Sequence, residues 1–134
     1  MNEAYLDACC FIYLVEGALA WRAAVEHRIR GLPTTMGLVT SRLSRLECRS
    51  KPLRDRDALL LDRYEALFGN TRVVEVSATI VETATELRSR YGFRSPDSIH
   101  LATAIEARAD VFLTGDALLA RCAEIRVSVL IPTP

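Results

Sequence analysis

Five short apolar runs, separated by longer amphipathic segments, are the feature that most limits how this 134-residue chain can fold. Each run has the length and composition of a buried β-strand and is bounded by turn or cap residues. Short buried strands that alternate with helices favour a parallel sheet that is covered on both faces. The predicted strands cover residues 4–6, 37–39, 72–76, 110–113 and 127–130.

The segments between these runs have apolar residues at helical spacing. Ser77 and Ser95 are good N-caps, and Pro96 suits the first turn of a helix. The third helix is predicted to stop before Pro52, because proline interrupts a helix interior. The predicted helices cover residues 11–15, 18–30, 41–49, 57–68, 77–91, 95–108 and 117–121.

Length and composition favour one domain, residues 1–134. A chain of this size can bury a core without disulfides or a structural metal. No apolar run approaches the ~20 residues of a membrane span, and no signal-peptide pattern is visible, so we expect a cytoplasmic protein. The cysteines have no CxxC spacing, and we predict buried apolar side chains, not zinc ligands. They are Cys9, Cys10, Cys48 and Cys122.

The formal net charge is zero, so the total charge does not indicate a strongly basic nucleic-acid-binding protein. Lys51 is the only lysine among 17 basic residues. Arginine suits bidentate contact with phosphate, although codon usage in a GC-rich genome also explains the excess. Arg42, Arg45 and Arg49 form a stripe on the third predicted helix, which either holds an RNA backbone or is a solvated face.

Four acidic residues stand where a parallel sheet binds ligands, beyond the carboxyl ends of its strands. Asp7 follows the first strand, Asp116 follows the fourth, Asp97 lies in the first turn of a helix, and Glu47 lies on the helix after the second strand. Structural alternatives exist: Asp97 suits the helix dipole, Asp116 suits a cap, and Glu47 suits solvent. Five other acids are assigned to exposed helix faces, namely Asp55, Asp57, Asp62, Glu65 and Glu86.

Asp7 is the hardest of these acids to explain structurally, because it directly follows a buried strand. An unpaired buried carboxylate is costly, so Asp7 needs a cation or several hydrogen bonds. Residues 6–15 contain no lysine or arginine. Oxygen ligands favour Mg²⁺ or Mn²⁺, and such ions activate water for phosphodiester hydrolysis. Without metal, mutual repulsion should raise the pKa of at least one of the four carboxyls.

Four motifs resemble the PIN domain family in order, spacing and length, over essentially the whole chain. The opening YLDACCFIYL contains Asp7, and TSRLSRLE ends in Glu47. SPDSIHLATA, the most specific match, contains Asp97, and ADVFLTGD ends in Asp116. Among PIN proteins, a domain of this size is similar to the VapC toxins of prokaryotic toxin–antitoxin pairs.

The resemblance implies an α/β/α sandwich with a central, mostly parallel five-stranded sheet. It also implies an Mg²⁺- or Mn²⁺-dependent endoribonuclease that dimerises and is blocked by a cognate antitoxin. Asp7, Glu47, Asp97 and Asp116 match the family's acidic tetrad, and Thr114 matches the hydroxyl residue before the last aspartate. One departure is visible just after the first aspartate, where many members have a hydroxyl or amide residue and this chain has Ala8 and Cys9.

Two further features leave alternatives open. His100 shares a helix face with Asp97, so it either contacts phosphate or water, or is a satisfied, half-buried histidine. Leu19 and Trp21 make the second helix apolar beyond one stripe, which suits an antitoxin, a second subunit or plain core packing.

Other enzyme classes fail on particular residues. A haloacid-dehalogenase-like phosphatase needs a second aspartate at position 9, where this chain has Cys9, and a receiver domain needs a late lysine, whereas Lys51 is misplaced. No glycine-rich phosphate loop is present. The remaining alternative is a catalytically weak PIN scaffold that binds RNA or a partner protein.

Overall fold

A parallel sheet of five strands forms the centre of the computed structural model, which describes residues 2–132. The strands are β1 (Glu3–Leu6), β2 (Gly37–Ser41), β3 (Arg72–Val74), β4 (Val111–Thr114) and β5 (Val127–Val129). They are ordered β3-β2-β1-β4-β5, and every neighbouring pair is parallel. The predicted α/β class and the five-stranded sheet are therefore confirmed.

Helices cover both faces of this sheet. The helices are α1 (Ala8–Glu16), α2 (Leu19–Arg30), α3 (Arg42–Arg54), α4 (Ala58–Gly69), α5 (Ala78–Tyr91) and α6 (Ser95–Glu106), and a 3₁₀ helix spans Ala117–Arg121. One core layer lies under α1 to α4, and the other lies under α5, α6 and the 3₁₀ helix. None of the helices within residues 2–132 has the length and hydropathy needed to cross a bilayer.

The central strand β1 contributes to both core layers because its side chains alternate between the two faces. Ala4 and Leu6 belong to the layer under α1 to α4, and Tyr5 belongs to the opposite layer. The Tyr5 ring stacks on Phe112 of β4, with 5.0 Å between ring centroids and 6° between planes. This contact holds the two central strands together on the α6 face.

Three predicted helix bounds were wrong, each for a local reason. α3 continues through Pro52 to Arg54, and Pro52 is buried; burial of the ring works against the cost of about 3 kcal/mol for an interior proline. α1 begins at Ala8, three residues early, because the Asp7 side chain caps it. α6 ends at Glu106, and Arg108 just beyond it has a left-handed φ of 58°, which does not continue a helix.

The sheet order places a topological switch point between β1 and β4. From β1 the chain builds outward to β2 and β3, and later crosses to β4 and β5 on the other side. Connections that leave two neighbouring strands in opposite directions open a crevice at their carboxyl ends. Asp7 follows β1 directly, and Asp116 lies two residues after β4, so both acids stand at this crevice.

Truncation of Phe112 tests the importance of the central stacking contact. Phe112 is fully buried, and Phe112→Ala should lower the free energy of unfolding by about 3–5 kcal/mol, because it removes buried contacts and leaves a cavity. Urea denaturation measures this loss. Leu59 is 63% exposed, so the control Leu59→Ala should change stability by only about 0.5 kcal/mol or less. Equal losses in the two variants would contradict the assigned core.

Candidate active site

A pocket of about 430 Å³ lies at the carboxyl ends of β1 and β4. It is lined by all four acids singled out in the sequence, which are Asp7, Glu47, Asp97 and Asp116. They come from four different places: the ends of β1 and β4, the first turn of α6, and the middle of α3. The fold thus brings together residues separated by up to 109 positions in the chain.

Asp7 is 7% exposed, and hydrogen bonds satisfy both of its oxygens. Oδ1 accepts from the backbone N–H of Ala8 at 2.8 Å, and Oδ2 accepts from the Thr114 hydroxyl at 2.8 Å. Burial raises the pKa of Asp7, although His100, Thr114 and the Ala8 N–H oppose this. A raised pKa was predicted, but its main cause is desolvation, and repulsion from Asp97 contributes less.

His100 joins two of the acids from inside the protein. Its Nε2 lies 2.6 Å from Oε1 of Glu47 and 3.7 Å from Oδ1 of Asp7, while Nδ1 lies 2.6 Å from the Tyr5 hydroxyl. Burial lowers the pKa of His100, but the hydrogen bond to Glu47 and the nearby carboxylates outweigh it, and the net direction is upward. The ring is 1% exposed, so it is not presented to a phosphate backbone.

Arg94 pairs with Asp97 at the mouth of the pocket, at 3.1 Å between Nε and Oδ2. This bond raises the pKa of Arg94. Arg94 was not among the predicted site residues. Its position three residues before Asp97 could have indicated the contact, because residues at this spacing meet on a helix surface. Asp116 both lines the pocket and caps the 3₁₀ helix, because its Oδ1 accepts from Leu118 N–H at 3.0 Å.

The side chains that follow the first aspartate also shape the pocket. Cys9 lines it, and its sulfur accepts from Gly115 N–H at 3.3 Å and lies 3.9 Å from the Thr114 hydroxyl. The sulfur therefore makes local contacts at the position where the first motif departs from the PIN pattern that it resembles. Tyr13 approaches Gly115 so closely that a Cβ there would lie 2.7 Å from the phenol oxygen. The other three cysteines are buried and free, as predicted, whereas Cys9 was also predicted to be buried and is only partly so.

The arginine stripe lines a groove of its own. Arg42 pairs with Glu75, and Arg45 and Arg49 pair with Glu65. This groove is also about 430 Å³ and does not include Glu47 among its lining residues. The three arginines are thus already partnered by carboxylates on the protein surface, and an RNA backbone would have to compete with those partners.

The donor chemistry of the acidic pocket fits a hard divalent cation, because four carboxylates supply only oxygen ligands. Within residues 2–132, however, no three His, Cys, Asp or Glu side chains converge closely enough to hold an ion as they stand. The basic groups of Arg94 and His100 instead lie against Asp97, Glu47 and Asp7. Binding of an ion would therefore require the carboxylates to move closer together and Asp97 to leave Arg94, while Glu47 can keep its contact with His100.

Comparison with known proteins agrees with the fold and with the motif order. The family model for the PIN domain matches residues 4–125. No curated protein sequence matches the chain. Twenty-nine chains of solved structures match it, and those described next are similar along nearly their whole length.

A toxin–antitoxin complex from Klebsiella pneumoniae is 20% identical, with a TM-score of 0.76, and the match covers 97% of this chain and 99% of that one. VapBC2 from Rickettsia felis, bound to promoter DNA, is 12% identical with a TM-score of 0.81, covering 96% and 99%. VapC20 from Mycobacterium tuberculosis, a toxin that cleaves the sarcin–ricin loop, is 17% identical with a TM-score of 0.71, covering 92% and 98%. At such identities the likeness shows the fold.

The raised pKa of the buried Asp7 carboxyl predicts how the stability of the metal-free protein depends on pH. Because its folded pKa is raised, the native state holds the proton more tightly than the unfolded chain, and stability falls as pH rises above the unfolded value of about 3.9. Asp7→Asn stays neutral and keeps an oxygen for the Ala8 N–H. Thermal scans with chelator should therefore show a higher Tm for the variant at pH 7, and no such gain at pH 3.5.

The matched control is Asp62→Asn on the exposed side of α4, which should leave Tm nearly unchanged at both pH values. A lower Tm for Asp7→Asn at pH 7 would mean that ionised Asp7 stabilises the fold as a cap, and would contradict the prediction.

Proposed function

The chain belongs to the PIN domain family, and from that membership we propose that it is a metal-dependent endoribonuclease, the toxin of a type II toxin–antitoxin pair. One observation carries the proposal: the four acids of the family's motifs line a single pocket at the switch point of the sheet. We further propose that residues 1–134 work as one domain, in the cytoplasm where the RNA substrate is found.

Asp7, Glu47, Asp97 and Asp116 are the residues proposed to hold Mg²⁺ or Mn²⁺. When bound, such an ion supplies an activated water and neutralises charge on the phosphate. The protein supplies the orientation of the ligands. The Thr114 hydroxyl and the Ala8 N–H fix the orientation of the Asp7 carboxylate at the pocket.

Arg94 gives the pocket a guanidinium group, which suits the phosphates of the proposed RNA substrate. It lies at the rim and its side chain is 80% exposed. An ion that engages Asp97 would compete with the guanidinium for the carboxylate. The guanidinium would then be available for bidentate contact with an RNA phosphate. Arg42, Arg45 and Arg49 are proposed as a second, weaker site for the RNA backbone, and His100 is not retained as an RNA contact.

We propose a cognate antitoxin and a second copy of this chain as protein partners. The support is the likeness to toxin–antitoxin complexes and the acidity of the pocket, which an arginine of an antitoxin would match. On α2, Leu19 is 77% exposed, and we propose it as an apolar contact for one of these partners.

A catalytically weak scaffold remains the second candidate function. The observation that favours it is that acids in the pocket are paired with Arg94 and His100 within the protein. A pocket whose acids are engaged in this way could bind RNA or a partner without cleavage.

Substitution of one pocket acid separates the two functions. Asp97→Asn should lower Mn²⁺-dependent cleavage of a mixed RNA pool by roughly 100-fold or more, because an amide is a poor ligand for such ions and supplies no charge. Asp110→Asn is the matched control, since Asp110 is exposed and precedes β4 at the opposite end of the sheet, and should cleave like the wild type. Metal-independent binding without cleavage by the wild type would favour the scaffold.

Metal binding should also appear in thermal stability. Only the folded chain assembles the four carboxylates, so Mn²⁺ at a hundred times its dissociation constant should add about 2.7 kcal/mol. For a domain of this size the Tm should rise by on the order of 5–10 °C. Asp7→Asn should gain much less from the same addition. A wild-type Tm that does not respond to Mn²⁺ or Mg²⁺ would contradict the proposed site.

A further inference from the structure

We propose that His100 is a positioning residue that holds Glu47 in place for metal binding, and that Tyr5 orients the His100 ring. The inference rests on the proposed function, because it assigns a role toward the proposed metal ligands. His100 is not itself placed among the ligands or against the substrate. It acts through the carboxylate that it contacts.

The contacts form one chain from the core of the sheet to the pocket. Tyr5 on β1, fully buried, points to the α6 face and meets Nδ1 of His100 at 2.6 Å. Nε2 of the same ring meets Oε1 of Glu47 at 2.6 Å. Glu47 lies on α3, which packs on the other face of the sheet through Cys48. His100 therefore reaches past the carboxyl edge of the sheet and joins its two layers.

Glu47 needs such a partner more than Asp7 does. Asp7 is buried and fixed by two hydrogen bonds of its own, whereas the Glu47 side chain is 31% exposed and has three rotatable bonds. Holding a long side chain in one rotamer has an entropic cost. The bond from His100 fixes one oxygen. Within residues 2–132 the second oxygen of Glu47 accepts no hydrogen bond, and it remains for the pocket that Glu47 lines.

In this series of contacts, Tyr5 is the residue that sets the orientation of the His100 ring. Its phenol is stacked on Phe112 and cannot turn without disturbing the core. A buried phenol oxygen also requires a hydrogen-bond partner, and His100 provides it. The direction in which Nε2 points is therefore set by the packing of the two central strands. Residues that hydrogen-bond to a metal ligand, as His100 does to Glu47, commonly orient that ligand.

A pair of isosteric variants tests the role of Nε2. The amide nitrogen of His100→Gln can reach the position of Nε2, whereas that of His100→Asn reaches only the position of Nδ1. His100→Asn should weaken Mn²⁺ binding, measured by calorimetry, by about 10- to 100-fold, and should lower kcat while KM for RNA stays the same. His100→Gln should recover most of this loss. Equal Mn²⁺ affinities in the two variants, at similar urea stability, would overturn the inference.

A double-mutant cycle tests the role of Tyr5. Tyr5→Phe keeps the stacked ring and removes only the hydroxyl, so the fold should persist. It should weaken Mn²⁺ binding several-fold in the wild-type background and have no further effect in the His100→Asn background, because Tyr5 acts through His100. An effect of the same size in both backgrounds would show that Tyr5 acts independently, and would overturn its assigned role.

Nuclear magnetic resonance of the metal-free protein gives a readout that does not depend on activity. The chain has two histidines, and exposed His27 is an internal reference. Glu47→Gln should shift the Nε2 resonance of His100, and Tyr5→Phe should shift Nδ1, with His27 unchanged. If neither resonance moves, the chain of contacts is wrong. If both move but the wild type binds no Mn²⁺ and cleaves no RNA, the contacts stand and the proposed function fails, together with the metal-directed role of His100.

Discussion

The buried carboxylate of Asp7 is the constraint around which the rest of the site is arranged. A charged group at the end of the central strand has to be satisfied where it stands, because leaving it unpaired would cost several kcal/mol. The first turn of α1 and the Thr114 hydroxyl of β4 provide this satisfaction directly. The pairing of β1 with β4 therefore holds the sheet together and also defines the floor of the pocket.

The site also links the two helical layers of the protein. α3 and α6 lie on opposite faces of the sheet, and their closest polar connection is the bond between Glu47 and His100. Because Tyr5 continues this connection into the core, the acidic pocket is coupled to the packing of the central strands. In the metal-free pocket Arg94 lies against Asp97, and no three potential ligand side chains within residues 2–132 stand close enough together to hold an ion.

Much of this organisation could be predicted from the sequence, because strand–helix alternation and the positions of the acids are local signals. The five strands, the six long helices and the gathering of Asp7, Glu47, Asp97 and Asp116 at one edge follow from them. The extension of α3 through a buried proline could not be predicted, since tertiary packing decides it. The burial of His100 was underestimated for the same reason: its partner Tyr5 is 95 residues away, and only the fold brings the two together.

The metal site proposed here joins the four acids at the switch point around one divalent ion. Crystals of the protein soaked in MnCl₂ test it directly through the anomalous scattering of manganese. We expect an anomalous peak in the pocket within bonding distance of oxygens from Asp7 and Asp97, with Arg94 displaced from Asp97. A structure with manganese absent from the pocket at saturating concentration, and with the ion pair between Arg94 and Asp97 intact, would contradict the proposed metal site.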